Sequence, residues 1–86
     1  MKYDNFINSL NDYLHGRIDG RLLLNAWQDC PEELKPIYYQ LFHLIGDEDI
    51  RKKDVDYKNF QLSLVNNVIG LLKAGDIEKL QGISLI

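Results

Sequence analysis

The sequence predicts an all-α protein, a single domain over residues 1–86 built as a small up-and-down bundle of three to four main helices. Three observations predict it. First, the stretch from Tyr57 to Lys73 sets Tyr57, Phe60, Leu64, Val68 and Leu71 on one side of a helix, with Val65 and Leu72 beside them and Leu62 and Ile69 widening the apolar face. That face spans roughly half the circumference, so the helix is gripped on two sides and leaves only Asn59, Ser63, Asn66, Gly70 and Lys73 for water. Second, apolar residues recur at three- and four-residue spacing through the rest of the chain, while the two-residue alternation of a half-buried strand is absent. Third, stop and start signals fall between these runs: Gly16, Asp19, Pro31 and Gly46.

The first helix runs from about Asp4 to His15 on Tyr3, Phe6, Ile7, Leu10, Tyr13 and Leu14, and Gly16 supplies a left-handed exit. Asp19 caps a second helix through Leu22, Leu23, Ala26 and Trp27, which ends near Gln28 or Asp29. The HGRIDG connection is short enough to make the pair an antiparallel hairpin. A third helix begins near Pro31, where a missing N–H is harmless and Glu32 and Glu33 complement the helix dipole. Pro36 interrupts it, so PEEL forms an opening turn followed by either a bend or a fresh start at Pro36. The continuation carries Ile37, Tyr38, Leu41, Phe42, Leu44 and Ile45, and Gly46 closes it.

GDEDIRKKDVDY, the most charged segment, has only Ile50 and Val55 as apolar anchors. One helical turn over Asp47 to Lys52 within a connecting loop is the expectation. Asp54 or Asp56 caps the long helix that follows, with Asp56 favoured because Tyr57 opens the periodic pattern. After Ala74 and Gly75 come a short DIEKLQ segment and the tail ISLI, where Leu80, Ile83, Leu85 and Ile86 either close one end of the core or fray.

Composition narrows the function classes. Hydrophobic residues make up 45% of the chain and charged residues 27%, the proportions of a folded domain. The formal charge of −3 points away from direct nucleic-acid binding, which runs on excess Lys and Arg, and suits a basic protein partner. Arg51, Lys52, Lys53 and Lys58 are interleaved with aspartates, which breaks up any basic stripe. Cys30 is the only cysteine, so no intramolecular disulfide is possible and a reducing compartment is expected. No apolar run reaches membrane-spanning length, and MKYDNFINSL lacks the apolar core of a signal peptide; the sequence reads as cytoplasmic, without a membrane partner.

Catalytic chemistry finds no support in the sequence, and the chain reads as a non-enzyme. His15 and His43 both lie near helix ends, where a positive charge suits the dipole. Cys30 has no neighbouring histidine or second cysteine, and either caps a helix or packs under Trp27. Calcium-loop spacing fails as well: the glycine and glutamate positions hold Lys52 and Lys58 counted from Asp47, and Asp54 and Phe60 counted from Asp49. No metal or other cofactor is expected. Trp27 reads as core, whereas Tyr38 and Tyr39 face different directions, so one of them reaches the surface near Glu32, Glu33 and Lys35. The carboxylates Asp47, Glu48, Asp49, Asp54 and Asp56 have two readings: a solvated, internally paired charge run, or an acidic recognition surface with Tyr57 as its aromatic anchor.

These features resemble the small helical immunity proteins of bacterial toxin systems, the colicin D and E5-like immunity family and similar proteins from contact-dependent growth inhibition loci. The resemblance rests on the aromatic, Leu-rich first helix, the Gly-x-Ile linker at Gly16 to Ile18, the second helix with Trp27, the segment LFHLIGDEDIRKKDVDY and the helix ending LLKAGD. It covers most of the chain; the Pro31, Pro36 pair and the ISLI tail depart from it. What the resemblance implies is inhibition by occupation, in which the protein covers the basic active-site cleft of a cognate toxin nuclease, commonly a tRNA-cleaving ribonuclease. On that reading Asp47, Glu48, Asp49, Asp54 and Asp56 stand in for phosphates, Tyr57 or Tyr39 supplies contact area, and Glu32 and Glu33 are the further acidic candidates. The alternative is a small helical adaptor or regulatory interaction module without a toxin partner.

Overall fold

In the computed structural model, which describes residues 3–82, the first helix, α1 (Asp4–Leu14), is followed by Gly16 at φ 72°. Asp19 then opens α2 (Gly20–Trp27) by accepting the Leu22 amide at 2.9 Å. Trp27 folds this helix back on α1: its ring stacks at a tilt on Phe6, with 5.0 Å between centroids, and its indole N–H donates to Ser9 Oγ at 2.8 Å. The Ser9 hydroxyl in turn donates to the Phe6 carbonyl at 2.7 Å, so the polar atoms beside the buried tryptophan are satisfied. The expected antiparallel hairpin is present.

The chain then makes a 3-10 turn over Glu32–Leu34 and starts α3 (Lys35–Gly46). Pro36 is the second residue of α3, where its missing N–H breaks no intrahelical bond, so the fresh start is realised rather than the bend. The start of α2 lies against the end of α3, where a Cβ on Gly20 would fall 2.6 Å from Ile45 Cγ2. A side chain at this position would force the Ile45 side chain to shift.

Two expectations about the next segment are corrected. Gly46 closes α3 as expected, but without a positive φ, which among the described residues only Gly16 and Gly75 have. The chain runs on through Asp47 directly into α4 (Glu48–Lys53), so no reversal is needed and little of the segment is loop. The long helix α5 (Val55–Ala74) begins two residues before Tyr57, capped by Asp54 and not by Asp56: Asp54 is the last extended residue, and its Oδ1 accepts the Tyr57 amide at 3.0 Å. Asp56 sits inside the first turn, where its charge suits the helix dipole. Gly75, at φ 70°, ends α5, and Asp76 caps the short α6 (Ile77–Gln81).

The architecture is an all-α bundle, with α1, α2, α3 and α5 as its long helices and α4 and α6 as short additions. Helix α5 packs against α1, α4 and α6, and α2 bridges α1 and α3. The core joins Leu10, Leu23, Trp27, Leu34, Ile37, Leu41, Leu44, Val65, Leu72 and Leu80, with Cys30 buried at its edge. The buried residues of α5 are Gln61, Val65, Val68, Ile69 and Leu72, so four of the five lie within the expected apolar face; the departures are Gln61, which is buried, and Phe60, which is left exposed. The polar remainder, Asn59, Ser63, Asn66, Gly70 and Lys73, is exposed as expected. Ile83, Leu85 and Ile86 lie outside the described residues.

Candidate functional site

Helix α4 is only six residues long, yet its periodicity sorts its charges. Glu48, Arg51 and Lys52 fall on one side by three- and four-residue spacing, and Asp49, Ile50 and Lys53 on the other. The first side is built into the bundle through Arg51. Its Nη1 donates to the Leu44 carbonyl at the end of α3 and to Gln61 Oε1 on α5, and its Nη2 donates to the Tyr13 hydroxyl on α1 at 2.7 Å. One guanidinium thus ties α4 to three other helices.

The neighbouring groups complete the network. The Tyr13 hydroxyl donates to Glu48 Oε1 at 2.7 Å. Asp47 Oδ2 accepts from the Tyr57 hydroxyl at 2.7 Å and from Gln61 Nε2 at 3.1 Å. Gln61, fully buried, therefore links Arg51 to Asp47, accepting from one and donating to the other. These bonds set the ionisation of the members. The Tyr57 hydroxyl and the Gln61 amide hold the Asp47 carboxyl below its usual range, and Asp47 in return pushes the Tyr57 phenol up. Burial, followed by the bond to Glu48, pushes the Tyr13 phenol well up. Among the described residues no buried side-chain nitrogen or oxygen lacks a partner.

The sequence-predicted site residues separate into distinct settings. Asp47 and Glu48 are turned into the network, and Asp54 caps α5. Asp49 and Asp56 face solvent. Tyr57 is half-buried, with its hydroxyl held by Asp47, so it is no free-standing anchor. Tyr39, 61% exposed, belongs to a different surface on α3: Tyr38 sits 5.8 Å from it and 5.4 Å from the exposed Phe42, with the Lys35 ammonium 5.7 Å from the Tyr38 ring centre. Glu32 is exposed in the 3-10 turn before that helix, and Glu33 accepts the Tyr3 hydroxyl at 2.9 Å. The length of α3, roughly 18 Å at 1.5 Å per residue, separates Glu32 and Glu33 from Asp47.

Sequence reasoning missed Tyr13, Arg51 and Gln61 as network members, and it assigned Ile50 and Val55 the wrong role. These two are 49% and 66% exposed, so the anchors of the charged segment point outward instead of into the core. The Asp54 amide donates to the Ile50 carbonyl at 2.9 Å, which folds Ile50, Asp54 and Val55 into one corner between α4 and α5. The only local signal was that two apolar residues stand alone in the most polar stretch of the chain.

His43 is exposed, and the exposed His15 pairs its Nδ1 with the Asn11 carbonyl at 2.7 Å. Burial pushes the Cys30 thiol up, away from the thiolate. Among the described residues no group of three or more His, Cys, Asp or Glu is placed to hold a metal ion, and no helix is long and apolar enough to cross a membrane. No family model, curated protein or solved structure matches this chain. What α4 presents, and what holds it in place, carry the functional reading.

Proposed function

We propose that the protein is an immunity protein that binds a cognate bacterial toxin nuclease, a tRNA-cleaving ribonuclease in the narrowest form of the reading, and neutralises it in the cytoplasm. It acts by covering the basic active-site cleft, without turnover. The observation that carries this reading is the α4–α5 corner, where Asp49, Asp54 and Asp56 are exposed in the same short segment as the exposed Ile50 and Val55. Carboxylates at such a surface steer a basic partner and fix its register, and the apolar pair supplies area that is desolvated on docking. Asp47 and Glu48 contribute from behind: their bonds to Tyr57, Gln61 and Tyr13 hold the corner in one shape before the partner arrives.

The test is a binding titration, at low and high salt, against the toxic domain encoded beside this gene, with nuclease activity followed in parallel. Tight binding, loss of nuclease activity and an association rate that falls with salt are expected. The Asp49→Asn/Asp56→Asn variant should slow association about tenfold with the helical circular-dichroism signal intact. No binding at micromolar concentration would sink the reading.

One observation favours an adaptor without a toxin partner: the exposed Tyr39 and Phe42 on α3, residue types that anchor interfaces, lie away from the acidic corner. On that second reading, Tyr39→Ala abolishes partner binding and the corner variant leaves it unchanged.

A further inference from the structure

A groove of about 320 Å³ opens between the α1–α2 connection and the inner side of α4. Its charge runs against that of the whole protein. The chain carries −3, yet the groove is lined by three cations, Arg51, Lys52 and Lys58, against two carboxylates, Asp19 and Glu48. Both carboxylates are already engaged, Asp19 by the Leu22 amide at 2.9 Å and Glu48 by the Tyr13 hydroxyl at 2.7 Å. Two of the three cations are not. Lys52 and Lys58 are exposed and have no hydrogen-bond or ion-pair partner among the described residues. Arg51 uses both Nη1 hydrogens and one Nη2 hydrogen on Leu44, Gln61 and Tyr13, which leaves one Nη2 hydrogen and its Nε–H without a described partner. The guanidinium is therefore fixed in place by the fold, with donor capacity to spare.

We propose that this groove binds a small organic anion, its carboxylate or phosphate held by Arg51, Lys52 and Lys58 and its flat apolar body laid against Tyr13 and Ile18. The volume lies at the small end of ligand clefts, enough for one ring and one anionic group. A pre-ordered guanidinium flanked by two exposed ammonium groups suits a compact oxyanion, because the fork supplies direction and the lysines supply charge. The proposal is independent of the toxin partner, since it uses the opposite side of α4.

The test is an NMR titration of the full chain with phenyl phosphate and with benzoate, alongside inorganic phosphate and phenol. Saturable amide shifts confined to residues 13–19 and 48–58 are expected with the ring-bearing anions, and whichever of the two binds more tightly assigns the headgroup. The Lys52→Gln/Lys58→Gln variant should raise Kd about tenfold, and Lys53→Gln, on the other side of α4, should leave it unchanged. Three results overturn the proposal: shifts that never saturate, inorganic phosphate binding as tightly as phenyl phosphate, or Lys53→Gln weakening binding as much as the double variant. All three lysines are exposed, so these variants keep the fold.

Discussion

Trp27 and Arg51 organise two different regions of the bundle and are held in opposite ways. Trp27 is fully buried and makes one side-chain hydrogen bond, to Ser9; its hold on α1 comes from area, in its contact with Phe6 and the surrounding core. Arg51 is only partly buried, and its hold comes from direction: three acceptors on three other helices, with a second layer of bonds through Glu48, Asp47 and Tyr57. Burial is indifferent to orientation and contributes most of the stability. A charged network returns little net free energy after desolvation, but it fixes geometry. The region that keeps the protein folded is therefore not the region that fixes the geometry of the α4–α5 corner.

The strongest way to break that comparison is Trp27→Ala. Losing a fully buried tryptophan should cost about 3–5 kcal/mol, comparable to the whole stability of a domain this small, and shift the urea midpoint accordingly. Arg51→Met should cost less, about 2–3 kcal/mol, because Gln61, the Leu44 carbonyl and Tyr13 lose their donor while the stem remains packed. Its signature is local. Hydrogen exchange should accelerate at the α4 amides and leave α1 and α2 protected; equal loss of protection everywhere would mean that both regions are held by one cooperative core.

The smallest effect sharpens the contrast through pH. Asp47 has its carboxyl held below the usual value of 3.8, so its contribution is present above that value and is lost as pH falls through the lowered one. Asp47→Asn should flatten the acid limb of a stability-versus-pH curve measured by urea denaturation, and a limb as steep as the wild type's would place the acid sensitivity elsewhere. The alkaline side discriminates less. Tyr13 and Tyr57, raised above 10.0, and Cys30, raised above 9.0, all stabilise below those values and lose that contribution as pH rises through the raised ones, and they sit in both regions.

The Trp27 region was legible in the sequence and the Arg51 region was not. Phe6, Leu10, Gly16, Asp19 and Trp27 declare themselves through spacing and cap chemistry that operate within a few residues, and the hairpin followed from them. The burial of Gln61 depends on Arg51 and Asp47, ten and fourteen residues earlier, and on a helix too short to show its own period. An amphipathic reading places a glutamine in water and a phenylalanine inside; here Gln61 is in the core and Phe60 is outside. The acidic segment was visible as a composition, but the division of its carboxylates into inward and outward sets required the turn of α4.

Asp47 alone joins α3 to α4, and Asp54 alone joins α4 to α5. Chain length is consequently a stricter constraint here than side-chain identity. One inserted residue at either joint would twist α4 by about 100° and swing Arg51 off its three acceptors, and a deletion would do the same in the opposite sense. Asp49, Ile50 and Asp56, exposed and outside the network, can be exchanged without disturbing the fold, provided that the count of residues between Gly46 and Val55 never changes.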